Sequence, residues 1–340
     1  MASQWARCVQ WVSPSKDLMA IPFVPRIDNA PYAVSEQMSP LIQRVIAKNP
    51  SKFSYHGTGT YIVGTQDVVV IDPGPLLDSH QVALAKALEK KNVVGIVVTH
   101  CHSDHSPLAA WLHEYTNAPR YAIGPHKTYE GWVEEDDHDP SEDDPAESVN
   151  EDDEIERETI DLGFIPDIAV ADGSVFFSTA EFSLTAVATP GHTSNHLAIA
   201  MDAENALFTG DHVMGWSTTV VAPPDGDMRA YMESMHKVIT RTDSVLWPTH
   251  GGPITDPQPF LRAYLEHRIE REKQIVQQIA AGNDTIPGIV KVLYAAVDKK
   301  LHRPARRSVW SHLRKLVDDG VIVTADGGAP RLLGNYQLAN

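Results

Sequence analysis

The sequence predicts an α/β protein with a small C-terminal α+β module, and three observations lead there. Strand-like and helix-like patterns alternate between Gly59 and Val98; strand-like runs resume between Ile168 and Phe208; and two helical patterns followed by a hairpin pattern close the chain. A chain of 340 residues, 42% of them apolar, is long enough for one large core and a second small one. The expected organisation is an extension over 1–35, a main domain over 36–259, a connecting helix over 260–280 and a terminal module over 281–340.

Taken in order, Met1 to Val24 lacks a continuous apolar segment ending in a small-residue cleavage site, so no export signal is read and a cytoplasmic location is expected. Only Cys8 and Cys101 occur, which excludes a disulfide framework and fits a reducing compartment. Gly59–Gly64 and Asp67–Ile71 read as strands joined by a Gly-containing turn, and Asp72-Pro73-Gly74-Pro75 as the loop that follows. Ser79 to Lys90 carries Val82, Leu84, Ala85 and Leu88 at helical spacing, and Val94–Val98 is the next strand. Ser106-Pro107 opens a helix with Leu108, Trp111, Leu112 and Tyr115, proline being harmless in a first turn.

Between Glu134 and Glu158 there are fifteen Asp or Glu against Arg157 alone, a net of −14 that leaves about −3 of the total of −17 for the rest of the chain. That segment is too charged to fold by itself and reads as a surface insertion; it has no spaced Asp and Gly ladder of a calcium loop. Strands are then expected at 168–170, 175–177, 182–188, 197–201 and 206–208, with another at Ser244–Trp247. Phe260 to Ala280 reads as a long helix. Helices over Ile286–Lys299 and Pro304–Asp319, then strands at Val321–Thr324 and Leu332–Leu338, give the outline of a winged helix. From Phe260 onward thirteen Lys or Arg stand against eight Asp or Glu, with Arg303, Arg306, Arg307, Arg314 and Lys315 on or just before the second helix. A nucleic-acid surface and an ordinary docking module with solvated arginines are both open.

The chemistry is concentrated in His100-Cys101-His102-Ser103-Asp104-His105, directly after a strand. Three imidazoles and a carboxylate in six residues are the donors that suit zinc and its neighbours, and alternate positions on an extended chain end can converge on one point while the next two serve another. By the same alternation Cys101 should point away, as a packed residue and not a ligand. Three more strand-to-loop transitions supply further donors: His192 in Thr-Pro-Gly-His-Thr, Asp211 in Phe-Thr-Gly-Asp, and His250 in Pro-Thr-His-Gly.

In this order, Asp72, His100 to His105, His192, Asp211 and His250 resemble the ordered motifs of the metallo-β-lactamase superfamily of hydrolases. The resemblance implies a four-layer αβ/βα sandwich and two divalent metal ions, zinc foremost. The first would take His100, His102 and His192 and the second Asp104, His105 and His250, with Asp211 bridging both. It also implies a hydroxide held between the ions as nucleophile, with one ion polarising the oxygen under attack. Asp104 is then also a catalytic candidate, orienting the hydroxide, and Asp72 a candidate acceptor for a ligand imidazole N–H. His196, in His-Thr-Ser-Asn-His, is a candidate for touching the leaving group or a substrate oxygen; a satisfied structural histidine is equally open there, as it is for His212.

Gly210 to Val220, Pro223 to Met228 and the terminal module together are similar to the lactamase-beta-like protein 2 group, which includes a mitochondrial endoribonuclease acting on single-stranded RNA. Three functions follow as expectations. Hydrolysis of a small ester, thioester, lactone or lactam is favoured by the acidic charge, because carboxylates near a site mouth repel phosphates. Cleavage of single-stranded RNA is favoured by the group resemblance. A winged-helix DNA-binding regulator is weakest, since a regulator has no need of seven donors around an open position. No membrane partner is expected, because no apolar run approaches the roughly 20 residues that cross a bilayer; a homo-oligomer is compatible with the sequence.

Overall fold

The computed structural model describes residues 21–24, 30–127, 159–296 and 302–339. Most of the expected N-terminal extension, with Cys8, and the acidic insertion over 134–158 lie outside the described residues.

The first sheet has seven strands in sequential order: β1 (Ser35–Gln37), β2 (Ile42–Ile46), β3 (Gly59–Val63), β4 (Asp67–Ile71), β5 (Asn92–Val97), β6 (Arg120–Ala122) and β7 (Ile168–Ala169). The β1–β4 pairs are antiparallel and the β4–β7 pairs parallel. Parallel neighbours need a crossover, and α1 (Asp78–Ala87) and α2 (Leu108–Thr116) supply two of them. β4 shows how the sequence builds layers. Val68 and Val70 point to the helices, where they meet Leu84, Leu108 and Leu112, while Val69 and Ile71 point the other way, into the space between the sheets. A strand buried on both faces reads as an unbroken apolar run, which is what Val68 to Ile71 is.

The second sheet orders β12 (Val245–Pro248), β11 (Ala206–Gly210), β10 (Leu197–Met201), β9 (Ser183–Ala188) and β8 (Val175–Ser178). Its inner face sets Leu184, Ile199, Phe208 and Trp247 against Tyr61, Val63 and Val97 of the first sheet. Its outer face is covered by α3 (Met228–Ile239) and α4 (Pro257–Ala280), through Tyr231, Met235, Phe260 and Tyr264. The layers therefore run helix, sheet, sheet, helix, the four-layer αβ/βα sandwich that the resemblance implies. Each fully buried Leu, Ile or Val in these layers stabilises the fold by roughly 1.5–3 kcal/mol.

The far end of α4 leaves the sandwich and enters another core, where Ile275 and Ile279 pack with Ile286, Ile289, Val309, Leu313, Ile322 and Tyr336. This module comprises α5 (Ile286–Leu293), α6 (His302–Asp318) and the antiparallel pair β13 (Ile322–Thr324) and β14 (Tyr336–Leu338). Thr285 caps α5, its hydroxyl accepting from the Gly288 N–H at 3.2 Å. The helix expected over 286–299 stops at Leu293, and residues 297–301 lie outside the described set.

Two of the basic residues of α6 are committed within the fold, which weighs against the nucleic-acid surface left open by the sequence. Arg306 is 1% exposed, turned inward beside the core residues Val309 and Leu313. Lys315 binds Glu272 at 3.0 Å and Asp319 at 2.9 Å. Neither is a free cation for a polyanion. The side chain of Arg303 lies outside the described residues.

Candidate active site

The sequence-predicted donors gather at the rim where strands of both sheets end. His100, His102, Asp104 and His105 follow β5; His192 lies between β9 and β10; Asp211 follows β11 and His250 follows β12. Two glycines allow the loops to close. Gly191 has φ +137°, and a Cβ there would stand 2.3 Å from Tyr231 Cα; Gly210 has φ +51°, and its Cβ would meet the His196 ring at 2.7 Å.

Three sets of donor atoms converge within 4.8 Å: His100, His102 and His192; His100, His105 and Asp211; and Asp104, His105 and His250. Within them His102 Nδ1 lies 3.0 Å from His100 Nε2 and 3.2 Å from His192 Nε2. His250 Nε2 lies 3.3 Å from both Asp104 Oδ2 and Asp211 Oδ2. His105 Nε2 lies 3.4 Å from Asp104 and 3.6 Å from Asp211.

The opposite ring nitrogens fix how the imidazoles point. His105 Nδ1–H donates to Asp72 Oδ2 at 2.9 Å, His192 Nδ1–H to the Val220 carbonyl at 2.6 Å, and His250 Nδ1–H to the Gly57 carbonyl at 3.3 Å. Each bond sends the remaining Nε2 toward the centre. Asp72 is held in turn by the Thr99 N–H and hydroxyl, both at 2.8 Å, and by the Thr249 hydroxyl at 3.2 Å.

Electrostatics divide the cluster. Burial, reinforced by neighbouring imidazoles, keeps His100 and His102 well below the ordinary histidine range, and burial lowers His192 too. Those three are neutral donors. Burial opposes charge on His105 and His250 as well, but Asp104 and Asp211 outweigh it, with Asp72 adding to the pull on His105: His105 is held well above its ordinary value and His250 is pushed up to about 10. Against the same penalty, His250 and His105 hold Asp211 well below the carboxylate range, and Asp104 is lowered as well. At the centre, His105 Nε2 and Asp211 Oδ1 are buried with no hydrogen-bond partner. Neutral imidazoles facing one another at 3.0–3.2 Å, carboxylates beside them and orphaned central atoms suit divalent cations; these residues fit the implied metals.

Four other residues have clear surroundings. His196 accepts from the Asp211 N–H at 3.1 Å and donates from Nδ1 to the Thr189 hydroxyl at 2.8 Å. With both nitrogens engaged and 1% exposure, it matches the structural alternative and not contact with a substrate oxygen. His212 is fully buried, pushed down to about 3 by that burial. Cys101 packs in the core of the first sheet, where its sulfur receives the Asn195 amide at 2.9 Å and burial pushes the thiol up to about 11. Thr58, which no sequence feature singles out, donates to Asp104 Oδ2 at 2.8 Å.

Residues 56–250, more than half of the chain, match the family described as the Metallo-beta-lactamase superfamily. The chain belongs to that superfamily. It is a hydrolase of this family, and residues 285–329 match the Beta-lactamase associated winged helix domain. Among curated relatives, a Beta-lactamase-like protein 2 homolog of Caenorhabditis elegans is 28% identical over 297 residues, covering 84% of this chain and 88% of the relative. An Atrochrysone carboxyl ACP thioesterase of Aspergillus chevalieri is 26% identical over 316 residues, covering 88% and 89%. Among solved structures, a Beta-lactamase domain protein from Burkholderia ambifaria superposes with a TM-score of 0.71 at 18% identity, covering 93% of this chain and 97% of that one. The shared fold includes the terminal module.

Proposed function

We propose that this superfamily member is a dinuclear, zinc-dependent hydrolase of carbonyl esters, with thioesters as the first substrate class. The convergence of His100, His102, Asp104, His105, His192, Asp211 and His250 on one centre is the observation that carries the metal assignment. His100, His102 and His192 would hold one ion, Asp104, His105 and His250 the other, and Asp211 both. Two such ions, when bound, supply a hydroxide near neutral pH and a Lewis acid for the oxygen under attack.

The chain's own part is orientation and proton handling. Asp72, Val220 and Gly57 fix the imidazoles through their Nδ1 hydrogens, so the donors meet an incoming ion without rearranging. Asp104 is the exposed carboxylate of the set, at 23% against 3% for Asp211, and Thr58 holds one of its oxygens. From the open side it would orient the hydroxide, the catalytic role expected of it beside metal binding.

The thioester choice is supported by the relatives named as ACP thioesterases, which align over most of this chain. It is also supported by the burial of Arg306 and the ion pairing of Lys315 with Glu272 and Asp319, which removes two of the cations that an RNA strand would need. The test is thiol release from a panel of acyl thioesters by zinc-loaded protein, with chelated protein and His102→Ala as controls. Metal-dependent release absent from both controls supports the reading. Intact thioesters beside cleavage of labelled single-stranded RNA by the same metallated sample would replace it with a phosphodiesterase.

A further inference from the structure

The loop that follows Asp211 is tied to the metal centre at one side and to the connecting helix at the other. On the first side, the Val220 carbonyl receives His192 Nδ1–H at 2.6 Å, and the Thr219 hydroxyl donates to the Asp211 carbonyl at 2.7 Å, with the His212 carbonyl 3.1 Å away. On the other side, the Thr219 N–H donates to the Tyr264 hydroxyl at 2.6 Å, which itself donates to the Ser217 carbonyl at 2.9 Å. The Arg268 guanidinium donates to the Thr219 carbonyl and lies over the Tyr231 ring at 5.2 Å, while Tyr231 binds the His212 carbonyl at 2.7 Å.

Thr219, Tyr264 and Arg268 are all buried, at 2%, 0% and 3% exposure. In that setting a hydrogen bond has no competing water, and losing one leaves its partner unsatisfied. Backbone carbonyls on a loop hold a ligand imidazole only as firmly as the loop itself is held. Here the hold comes from α4, the helix whose other end belongs to the terminal module's core.

We propose that Tyr264 and Arg268 are positioning residues of the metal centre, acting through Thr219 and Val220 to orient His192 and the Asp211 backbone. The inference rests on the proposed metal function and adds to it a dependence on the connecting helix. The chain thus sets its donor geometry from a helix about seventy residues beyond His192 in sequence.

The experiment compares wild type with Thr219→Val, Tyr264→Phe, Arg268→Ala and Arg268→Lys by chelator-competition titration of zinc and by the absorption spectrum of the cobalt-substituted protein. Arg271→Gln is the control: Arg271 lies over Tyr294 at 4.5 Å, on the terminal-module side, and perturbs α4 without touching the loop. Circular dichroism and thermal melts verify folding, and Tyr264→Phe and Thr219→Val keep the result readable if Arg268→Ala does not fold. The expected result is affinity for one ion weakened about 10- to 100-fold in Thr219→Val and Tyr264→Phe, with altered cobalt bands, partial recovery in Arg268→Lys relative to Arg268→Ala, and no change in Arg271→Gln. Two ions bound with wild-type affinity and spectrum by Thr219→Val and Tyr264→Phe would overturn the positioning role alone, as would an equal loss in Arg271→Gln. A wild type that takes up no metal would overturn the function proposed above, and this inference with it.

Discussion

Asp72→Asn is the most discriminating single change at this site, because the substitution removes charge while keeping shape and backbone preference. Asp72 has φ +49°, in the left-handed region that asparagine adopts readily and alanine does not, so Asn avoids the strain that Ala would add. Its carboxylate accepts four hydrogen bonds, from the Thr99 N–H, the Thr99 and Thr249 hydroxyls and His105 Nδ1–H. An amide retains one oxygen, which can keep the Thr99 N–H, and turns an NH2 toward His105 Nδ1–H and the two hydroxyls. The hydroxyls can rotate to donate elsewhere. The imidazole N–H cannot, and one buried donor left unsatisfied costs about 1–3 kcal/mol. For metal binding, loss of such an orienting acceptor weakens affinity about 10- to 100-fold, equivalent to roughly 1.4–2.7 kcal/mol. The expected outcome is one zinc ion bound with that deficit in a chelator competition, a lower urea midpoint and a slower rate with a native circular dichroism spectrum. Two ions held at wild-type affinity by a folded Asp72→Asn protein would show that His105 does not need its partner, and the orientation argument would fail.

His102→Ala and Asp211→Ala are expected to abolish turnover with the fold retained, and turnover by metal-free wild type in a chelator-treated assay would sink the metal mechanism. His312, in the terminal module, is lowered to about 4 by burial, so below about pH 6.5 the unfolded chain takes up a proton that the folded one refuses. Its contribution is present above about pH 6.5 and is lost as pH falls toward about 4, a loss on the order of 3 kcal/mol at pH 4. His80 and His212 act in the same direction, so His312→Gln should flatten the dependence of urea stability on pH across this window without removing it; an unchanged slope would contradict the assignment. The ion pair between Arg229 and Asp319 joins the sandwich to the residue just past the end of α6 at 2.5 Å with both side chains partly exposed, and Asp319→Asn is expected to cost less than about 1 kcal/mol, most of it gone in 1 M salt. A larger or salt-independent loss would mean that this contact carries the domain interface.

The candidate site was legible because metal donors are few in kind and sit where strands stop. His100, His102, Asp104 and His105 are neighbours in sequence, and the strand before them tells which residues alternate, so Cys101 could be turned away from the donors on pleat geometry alone. Net charge counted without regard to helix face does not reveal the inward position of Arg306. Arg306 lies three residues before Val309, four before Trp310 and seven before Leu313, all buried, so helical spacing points it into the core that its charge would suggest avoiding. Helix α3 was missed although Met228, Tyr231, Met232, Met235 and Val238 have helical spacing, because the stretch before it is loop-like with two prolines and Asp227, the residue that caps the helix, also reads as loop.

What sequence could not supply is the support of His192. Its orienting acceptor is the carbonyl of Val220, an atom that every residue possesses, so no residue type in the loop advertises the role. Thr219, Tyr264 and Arg268 are ordinary choices for a loop and a helix until the fold brings them together across 45 residues or more of chain. The distinction is physical. Donor atoms that bind a cation must be particular side chains, whereas the groups that aim them are often backbone atoms whose position is set by packing elsewhere. On the proposed reading, the candidate ligands are encoded locally at strand ends, and their geometry depends on the helix that leads to the terminal module. Truncation after the last candidate ligand, His250, keeps all seven donors and removes both Tyr264 and Arg268; the expected result is weakened zinc binding in a chelator competition, and wild-type affinity in the truncated protein would refute this division.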